Sequence, residues 1–223
     1  EYIYDAAVEE IKDVQTITLE DIRLEYKIPD GSGGFSIGPI NLVVNAGEIL
    51  FVAGGNGSGK STFMKILTGL YRPDAGTFRI NGQKLDIAKY RYLFSAIFAD
   101  FHLFDALYGL DTVDDAKVKN LLKQMRLDHK IRYADGQFST INLSAGQKRR
   151  LALIIALLEE KPFFVFDEWA ADQDVNFRRY FYEEILPFLK QQGKTIIAVT
   201  HDDRYFSTAD RVVRMEYGRI LEK

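Results

Sequence analysis

Residues 54–61 have the residue types and the spacing of a loop that binds phosphate groups. They read G-G-N-G-S-G-K-S, which fits the pattern G-x-x-x-x-G-K-[ST]. In such a loop the glycines let backbone N–H groups face phosphate oxygens, and the following helix adds the positive end of its dipole. Lys60 would place its charge between the terminal phosphates, and the Ser61 hydroxyl would hold Mg²⁺. The residues that we predict to bind the phosphate groups are Gly54, Asn56, Gly57, Ser58, Gly59, Lys60, Ser61 and Thr62.

The same stretch could be an ordinary glycine-rich turn, so the residues on either side of it matter. A β-rich apolar run, residues 49–53, comes directly before it, and a run of helical character, residues 62–70, follows it. Phosphate loops lie between a strand and a helix. Both flanks therefore favour phosphate binding, and we call residues 54–61 the phosphate loop.

Two adjacent acids, Asp167 and Glu168, end another apolar run about a hundred residues further along the chain. In enzymes with a phosphate loop, an acid at this place binds Mg²⁺ directly or through water, and we assign that role to Asp167. Glu168 would orient and deprotonate an attacking water molecule. Two acids at the end of a strand could also cap a helix, but the phosphate loop favours the catalytic interpretation.

Three continuously apolar runs are expected to position these groups: residues 49–53, 163–166 and 195–200. Strands that are buried on both faces of a parallel sheet have this pattern. Glycine-rich or polar residues follow each run at once, and His201 follows the third. Because ligands of open α/β sheets bind beyond the carboxyl ends of the strands, the three sets of reactive groups should meet at one edge.

The remaining segments have other patterns. Residues 16–53 alternate between apolar and polar and are interrupted by a turn-rich stretch, which predicts antiparallel strands. Apolar residues at helical spacing between positions 105 and 140 predict a separate helical lobe. Residues 1–15 have the pattern of an acidic, part-amphipathic helix, and residues 148–150, all basic, are expected to form a solvated helix face.

Composition argues against several classes of function. The chain has 223 residues and a formal net charge of −3, so it has no overall positive field to hold nucleic acid. It contains no cysteine, which excludes disulfides and thiolate metal sites. The longest clean apolar runs, such as residues 151–158, fall well short of the roughly 20 residues that a membrane-spanning helix needs.

Residues 143–147 read L-S-A-G-Q and lie just before a predicted helix. Alone, this run could be a serine cap on that helix. Together with the phosphate loop, it resembles the signature of ABC ATPases, and we call it the signature turn. The resemblance covers essentially the whole chain and implies ATP and Mg²⁺ as cofactors. It also implies an ATP-dependent head-to-tail homodimer, in which Ser144, Gly146 and Gln147 of one copy close on the nucleotide of the other.

The resemblance extends to further positions. Tyr26 matches the aromatic residue on which adenine stacks, Asp174 matches the loop that passes between the two sites, and His201 matches the histidine that contacts the γ-phosphate. The family usually has a glutamine near Mg²⁺ where this chain has Ala99. We expect the next residue, Asp100, to take over part of that role.

Residues 98–104 and 167–174 resemble more closely the exporters of small peptides, such as cyclic peptides, peptide siderophore precursors and microcins. Those proteins are half-transporters that have an N-terminal membrane domain and work as homodimers. The resemblance implies that the chain is the ATP-hydrolysing motor of such an exporter, at the cytoplasmic face of the bacterial inner membrane. Its partner would be a transmembrane domain outside this chain, linked through residues 1–15.

The fold implied is α/β: a P-loop NTPase with a RecA-like core, an antiparallel β-subdomain and a short helical subdomain. Residues 16–223 would form this domain, with the helical subdomain at about residues 101–141.

One alternative function is that of a soluble ABC ATPase that acts on ribosomes or nucleic acid. Tandem ATPase domains or a basic surface would favour it. A P-loop kinase or GTPase has no use for the signature turn. A degenerate scaffolding module would not need Lys60, Asp167, Glu168 and His201 together.

Overall fold

The computed structural model describes residues 10–27, 34–110 and 113–221. The strands in these ranges are β1 (Thr16–Lys27), β2 (Gly34–Asn45), β3 (Ile49–Ala53), β4 (Ala75–Ile80), β5 (Gln83–Leu85), β6 (Phe94–Ile97), β7 (Tyr133–Ala134), β8 (Gln137–Phe138), β9 (Phe163–Asp167), β10 (Thr195–Val199), β11 (Arg211–Glu216) and β12 (Arg219–Leu221). The α-helices are α1 (Lys60–Leu67), α2 (Asp115–Gln124), α3 (Ala145–Leu158), α4 (Val175–Tyr180) and α5 (Leu186–Gln191). A π-helical segment, Phe181–Ile185, joins α4 to α5, and 3-10 turns cover Ile87–Leu93, Trp169–Asp172 and Asp203–Thr208.

The central sheet has six strands in the order β12-β11-β3-β10-β9-β6. Its neighbouring strands run parallel except for the antiparallel pair β11 and β12. The three apolar runs of the sequence form β3, β9 and β10, and β10 lies between the other two. This order confirms that the three runs are adjacent strands of one parallel sheet.

Both faces of the central sheet are covered, which explains why its strands are continuously apolar. On β9, Phe164 and Phe166 belong to the core cluster that includes the apolar residues of α2, α3 and α4. The alternate residues, Phe163 and Val165, belong to a second cluster with α1 and the strands β1 and β2. Successive side chains of a strand point to opposite faces, so residues 163–166 are packed against apolar residues on both faces of the sheet.

A second sheet of four strands has the order β2-β1-β4-β5, and its neighbouring strands are antiparallel. This confirms the antiparallel β-subdomain that the alternating pattern predicts. Ile17 and Leu19 of β1 point into the core between this sheet and α1. Tyr26 pairs with Phe35 near the far end of the β1–β2 ladder.

Residues 101–141 are less helical than the periodicity predicts. Their described part contains the helix α2 and the short hairpin of β7 and β8. The side chain of Asp114 caps α2 by accepting a hydrogen bond from the N–H of Ala116. Arg126 has a left-handed backbone, with φ at 55°, shortly after the helix ends. The helix is therefore shorter than the apolar pattern that extends to residue 127, while the subdomain boundary remains a prediction.

The predicted N-terminal helix does not extend over residues 10–15, which have no helical structure. The N–H of Ile11 donates a hydrogen bond to the Tyr92 hydroxyl at 2.9 Å, so this stretch is attached to the domain. Residues 1–9 lie outside the described part of the chain, and a linker role for residues 1–15 remains a prediction. Among the helices described, none combines the length and the apolar character needed to cross a bilayer.

The double-sided burial of β9 predicts a large cost for truncating one of its aromatic residues. Phe163 is 1% exposed, whereas Phe188 on α5 is 57% exposed. We expect Phe163→Ala to lower the free energy of unfolding by about 3–5 kcal/mol, because it removes packing and leaves a cavity. Urea unfolding of both variants is the measurement, with Phe188→Ala as the matched control. Equal losses for the two variants would contradict the assigned core.

Candidate functional site

The phosphate loop joins the end of β3 to the start of α1, and its glycines are required by its backbone. Gly54, Gly57 and Gly59 all have positive φ angles, of 154°, 74° and 101°. A Cβ at Gly54 would lie 2.2 Å from the carbonyl oxygen of Met215, so no larger residue fits there. Because glycine adopts positive φ without steric cost, the sequence allows the tight turn between β3 and α1.

The ammonium group of Lys60 lies inside that turn. Its Nζ donates hydrogen bonds to the carbonyl oxygens of Gly54 at 2.9 Å and Gly55 at 2.8 Å. Burial lowers the pKa of Lys60, and the negative charges of Glu168 and Asp167 oppose that shift. A buried cation between loop and acids is suited to an anionic ligand.

Asp167 ends β9 with its carboxylate almost fully buried, at 1% exposure. Burial raises the pKa of Asp167, as does the charge of Glu168, while the hydroxyl of Ser61 and the backbone N–H of Ala99 act in the opposite direction. Its Oδ1 has no hydrogen-bond partner among the described residues.

This environment fits the Mg²⁺ that the family resemblance implies. A buried carboxylate oxygen without a partner, next to a serine hydroxyl, offers the oxygen ligands that Mg²⁺ prefers. The described residues contain no cluster of three or more His, Cys, Asp or Glu that could hold a metal ion. Few protein ligands are expected here, since Mg²⁺ in such sites is usually completed by water and phosphate oxygens.

Glu168 and His201 form the second pair at this edge. The Oε1 of Glu168 lies 2.8 Å from the Nε2 of His201, which follows β10. Glu168 has a left-handed backbone, with φ at 50° and ψ at 35°, which is uncommon for a residue other than glycine. Strained backbone of this kind is concentrated at functional sites, where surrounding contacts hold it in place.

A cavity of about 490 Å³ lies over the phosphate loop and is lined by six of the eight predicted phosphate-binding residues together with Glu168. It is lined by Phe35, Asn56, Gly57, Gly59, Lys60, Ser61, Thr62 and Glu168. Its lining combines inward-facing loop atoms, one cation and one carboxylate, and we assign the nucleotide site to it. Among the described residues that line the cavity, Phe35 is the one that the sequence did not single out.

Phe35 lies in β2, directly opposite Tyr26 of β1, the residue that we predict to stack on adenine. The side chain of Tyr26 lies outside what the structure describes, so its role remains a prediction. The ring of Phe35 closely approaches the loop, since a Cβ on Gly59 would lie 3.0 Å from it. The sequence signal for this aromatic residue was its position in the strand that pairs with Tyr26.

A larger cavity, of about 600 Å³, lies between α2, the α4–α5 helix and the start of β9. Its apolar lining includes Leu121, Met125, Phe164 and Phe188. None of the described residues that line this cavity is a predicted site residue. We therefore take the cavity over the phosphate loop, which has Lys60 and Glu168 in its lining, as the candidate site.

The signature turn is held by contacts within α3 and with the segment after β9. Ser144 caps α3 in a reciprocal arrangement, in which its Oγ accepts from the N–H of Gln147 and its own N–H donates to the Oε1 of Gln147. Gly146 is required because a Cβ there would lie 2.5 Å from the carbonyl oxygen of Asp172. None of these signature residues lines the described part of the cavity over the phosphate loop.

Asp174 and Asp100 both take part in ion pairs within the chain. Asp174 caps α4 through the N–H of Phe177, which lowers the pKa of Asp174, and it binds Arg150 at 2.7 Å. Asp100 accepts a hydrogen bond from Lys65 at 3.3 Å, and that contact lowers the pKa of Asp100. The structure pairs Asp100 with a lysine and does not place it in the cavity lining, so its role near Mg²⁺ remains a prediction.

The expectation of a solvated face at residues 148–150 is wrong for two of the three residues. Arg149 is 7% exposed, and its Nε donates to the Asp172 carboxylate at 2.8 Å. The guanidinium of Arg150 lies 3.6 Å from the ring centre of Phe177. The start of α3 packs against the segment after β9, and that long-range contact buries Arg149 and partly buries Arg150.

Comparisons with known proteins agree with this geometry. The family model described as "ABC transporter" matches residues 37–171. The ATP-binding protein SyrD of Pseudomonas syringae pv. syringae is 44% identical over 92% of this chain, which spans 38% of that relative. A macrolide export ATP-binding/permease protein, MacB 1, of Yersinia pestis bv. Antiqua is 33% identical over 92% of the chain, which spans 34% of it.

Solved structures show the same fold. A dimeric ATP-binding cassette in a post-hydrolysis state, bound to ADP and Pi, superimposes with a TM-score of 0.78 and 24% sequence identity. The match covers 92% of this chain and 97% of that one. The fold is therefore that of an ATP-binding cassette with a P-loop NTPase core.

Because burial raises the pKa of Asp167, this residue should lower stability at neutral pH. The folded state then binds a proton at Asp167 more tightly than the unfolded state does. Protonation of Asp167 therefore raises the free energy of unfolding of the wild type as the pH falls. We expect Asp167→Asn to be more stable than wild type at pH 7 without nucleotide or Mg²⁺. This advantage should shrink toward about pH 4, the usual carboxyl range.

Urea unfolding across that pH range is the measurement, and Glu183→Gln, which changes an exposed acid in the π-helical segment Phe181–Ile185, is the control. A variant that is less stable than wild type at every pH would contradict a net cost of burying the Asp167 carboxylate.

Proposed function

The chain belongs to the ABC transporter family and carries an ATPase domain of that family, and we propose that ATP hydrolysis by this domain drives export across a membrane. The observation that carries the proposal is the meeting of a buried lysine, two acids and a histidine at one sheet edge. These are Lys60, Asp167, Glu168 and His201, which come from three adjacent parallel strands and the loops that follow them.

ATP binding is assigned to the cavity over the phosphate loop. The triphosphate would take the place of the loop carbonyls as the partner of the Lys60 ammonium, while N–H groups of the loop and of the first turn of α1 bind its oxygens. The remaining loop positions, from Gly54 to Thr62, would act through their backbone and small side chains. Adenine would stack on the aromatic pair at the end of β1 and β2, Tyr26 and Phe35.

Mg²⁺ would be held by Ser61 and Asp167, with Asp100 as a further candidate. When bound, the ion neutralises negative charge on the terminal phosphates. The chain's own residues do the remaining work by positioning. Lys60 supplies a fixed positive charge inside the loop, and fixed charge aimed at the reacting group is a major source of catalysis.

Hydrolysis would proceed by attack of a water oxygen on the γ-phosphorus while the bond to the bridging oxygen of ADP breaks. Glu168 would accept a proton from that water. The Nε2 of His201 lies 2.8 Å from the Oε1 of Glu168, and this contact would orient the carboxylate. A contact of His201 with the γ-phosphate would share the same N–H between the two acceptors. The products are ADP and phosphate.

A second copy of the chain would complete each site. The signature turn exposes Ser144 at the N-terminus of α3, and Ser144 is not among the described residues that line the cavity over its own phosphate loop. The Ser144 oxygen accepts from Gln147, which leaves its O–H to donate, and a donating hydroxyl at a helix N-terminus is a good partner for an anion. Ser144, Gly146 and Gln147 would therefore contact the γ-phosphate in the other copy, with Asp174 on the loop between the two sites. The dimeric assembly of the related cassette supports this arrangement.

The exported compound is proposed from the motifs of residues 98–104 and 167–174, which resemble exporters of small peptides. We assign a small, possibly cyclic peptide or a siderophore-like compound. The relatives are much longer than this chain, and one is named for macrolide export.

A transmembrane domain would be the partner, and the ATPase domain would lie at the cytoplasmic face of the bacterial inner membrane. The net charge of −3 gives the chain no overall positive field, so we propose no nucleic-acid partner.

Glu168→Gln tests the catalytic assignment. It keeps the shape of the side chain but removes the base, so ATP turnover should fall by at least about 10²-fold. ATP affinity should stay close to wild type, and a dimer should accumulate with ATP in size-exclusion chromatography. Glu183→Gln, an exposed glutamate away from the cavity, is the control. Unchanged turnover in Glu168→Gln would overturn the proposed role of Glu168.

The membrane partner can be tested from the coding sequence upstream of Glu1. A half-transporter should encode about six apolar segments there, each close to 20 residues and long enough to span a bilayer. A second ATPase domain in the same reading frame, without such segments, would favour the soluble ABC ATPase instead.

A further inference from the structure

Arg149 is a buried arginine at the start of α3 that no part of the proposed hydrolysis has used. Its Nη1 donates to the carbonyl oxygen of Glu168 at 2.8 Å and lies 3.4 Å from that of Asp167. Its Nε donates to the carboxylate of Asp172 at 2.8 Å. The guanidinium therefore connects α3 to the backbone of both acids and to the turn that follows them.

These contacts hold a backbone that is unfavourable on its own. Glu168 has a left-handed conformation, which costs free energy for a residue with a side chain. Its carbonyl oxygen accepts from Arg149 and also from the N–H of Ala171, at 3.1 Å. Strained conformations persist where the surrounding structure over-determines them, and Arg149 provides the charged contact that does so.

The contact between α3 and the acids is reinforced from the other side. The indole N–H of Trp169 donates to the carbonyl oxygen of Arg149 at 2.9 Å, and its ring stacks on Phe181 at 4.2 Å between centres. The side chain of Gln173 donates to the carbonyl oxygen of Gly146 at 3.0 Å. The signature turn is thus bound to residues 167–174 through a contact that does not involve Arg149.

We propose that Arg149 is a positioning residue for ATP hydrolysis, which fixes the backbone of Glu168 in the same chain so that its carboxylate meets His201. This rests on the proposed function. Arginine is suited to the role because its planar guanidinium is always charged and donates in several fixed directions. A lysine has a single ammonium on a flexible stem, so it cannot reproduce both the Asp172 pairing and the carbonyl contacts.

The first test measures ATP turnover and nucleotide affinity in the full chain. A small displacement of a catalytic group can cost about 10²-fold in rate, so Arg149→Met should lower kcat by about 10- to 100-fold. Affinity for ATP should change little, because the phosphate loop is untouched. Arg149→Lys should recover only part of the loss. The matched control is Arg179→Met, an exposed arginine on α4, which should turn over ATP like wild type.

Mixed dimers separate positioning from a general loss of structure. One copy carries Glu168→Gln, so turnover comes only from the Glu168 of the other copy. Placing Arg149→Met in the copy with the intact Glu168 should lower turnover by the same factor as in the homodimer. Placing it in the Glu168→Gln copy should leave turnover within about twofold of the mixed dimer without it, since the rest of the signature contacts remain.

A misfolded Arg149→Met chain would lower turnover in both arrangements. Retained turnover with Arg149→Met in the Glu168→Gln copy therefore shows that the variant folds and assembles. Equal losses in the two arrangements, or a loss only in the second, would overturn the positioning role. Wild-type kcat in the Arg149→Met homodimer would overturn it as well. If wild type and Arg179→Met both lack ATP turnover, the proposed function fails, which is a separate result.

Discussion

The parallel pairing of β3, β10 and β9 is the constraint on which the rest of the site depends. Val199 of β10 pairs with Val52 of β3 on one side and with Asp167 of β9 on the other. The three strands therefore end at the same level, and the residues just beyond them emerge at one edge. The phosphate loop, Glu168 and His201 meet because of this register, and a slip of two residues in either pairing would separate them by about 7 Å.

The same edge contains groups that are unfavourable for folding. Burial opposes the charge of both Lys60 and Asp167. The Ser58 Oγ and the Asp167 Oδ1 lack hydrogen-bond partners among the described residues. Glu168 has a left-handed backbone. The apolar strands on both sides of the sheet supply the stability that offsets these costs. Sites that bind charged ligands commonly show this combination, since the ligand completes what the folded chain leaves unpaired.

Local sequence was enough to predict the parts of the molecule whose structure is set locally. The continuous apolar runs predicted strands buried on both faces, and the glycine spacing predicted a loop that a larger residue at Gly54 would break. The buried state of Arg149 could not be predicted in this way, because a run of three basic residues is typical of a solvated helix face. Its burial depends on residues 167–174, which come from a distant part of the chain. The extent of α2 was missed for a similar reason: apolar spacing continues to Leu127, but Asp114 and Arg126 set the ends of the helix.

The most direct test is a crystal structure of the Glu168→Gln chain grown with ATP and Mg²⁺. The triphosphate should lie in the phosphate loop against the Lys60 ammonium, with Mg²⁺ between Ser61 and the phosphates. Ser144 from a second copy should contact the γ-phosphate, and the main chain at position 168 should keep its left-handed conformation on Arg149. A nucleotide bound away from residues 54–61, or bound there with Asp167 and His201 remote from its phosphates, would contradict the convergence of the three strands on one catalytic site.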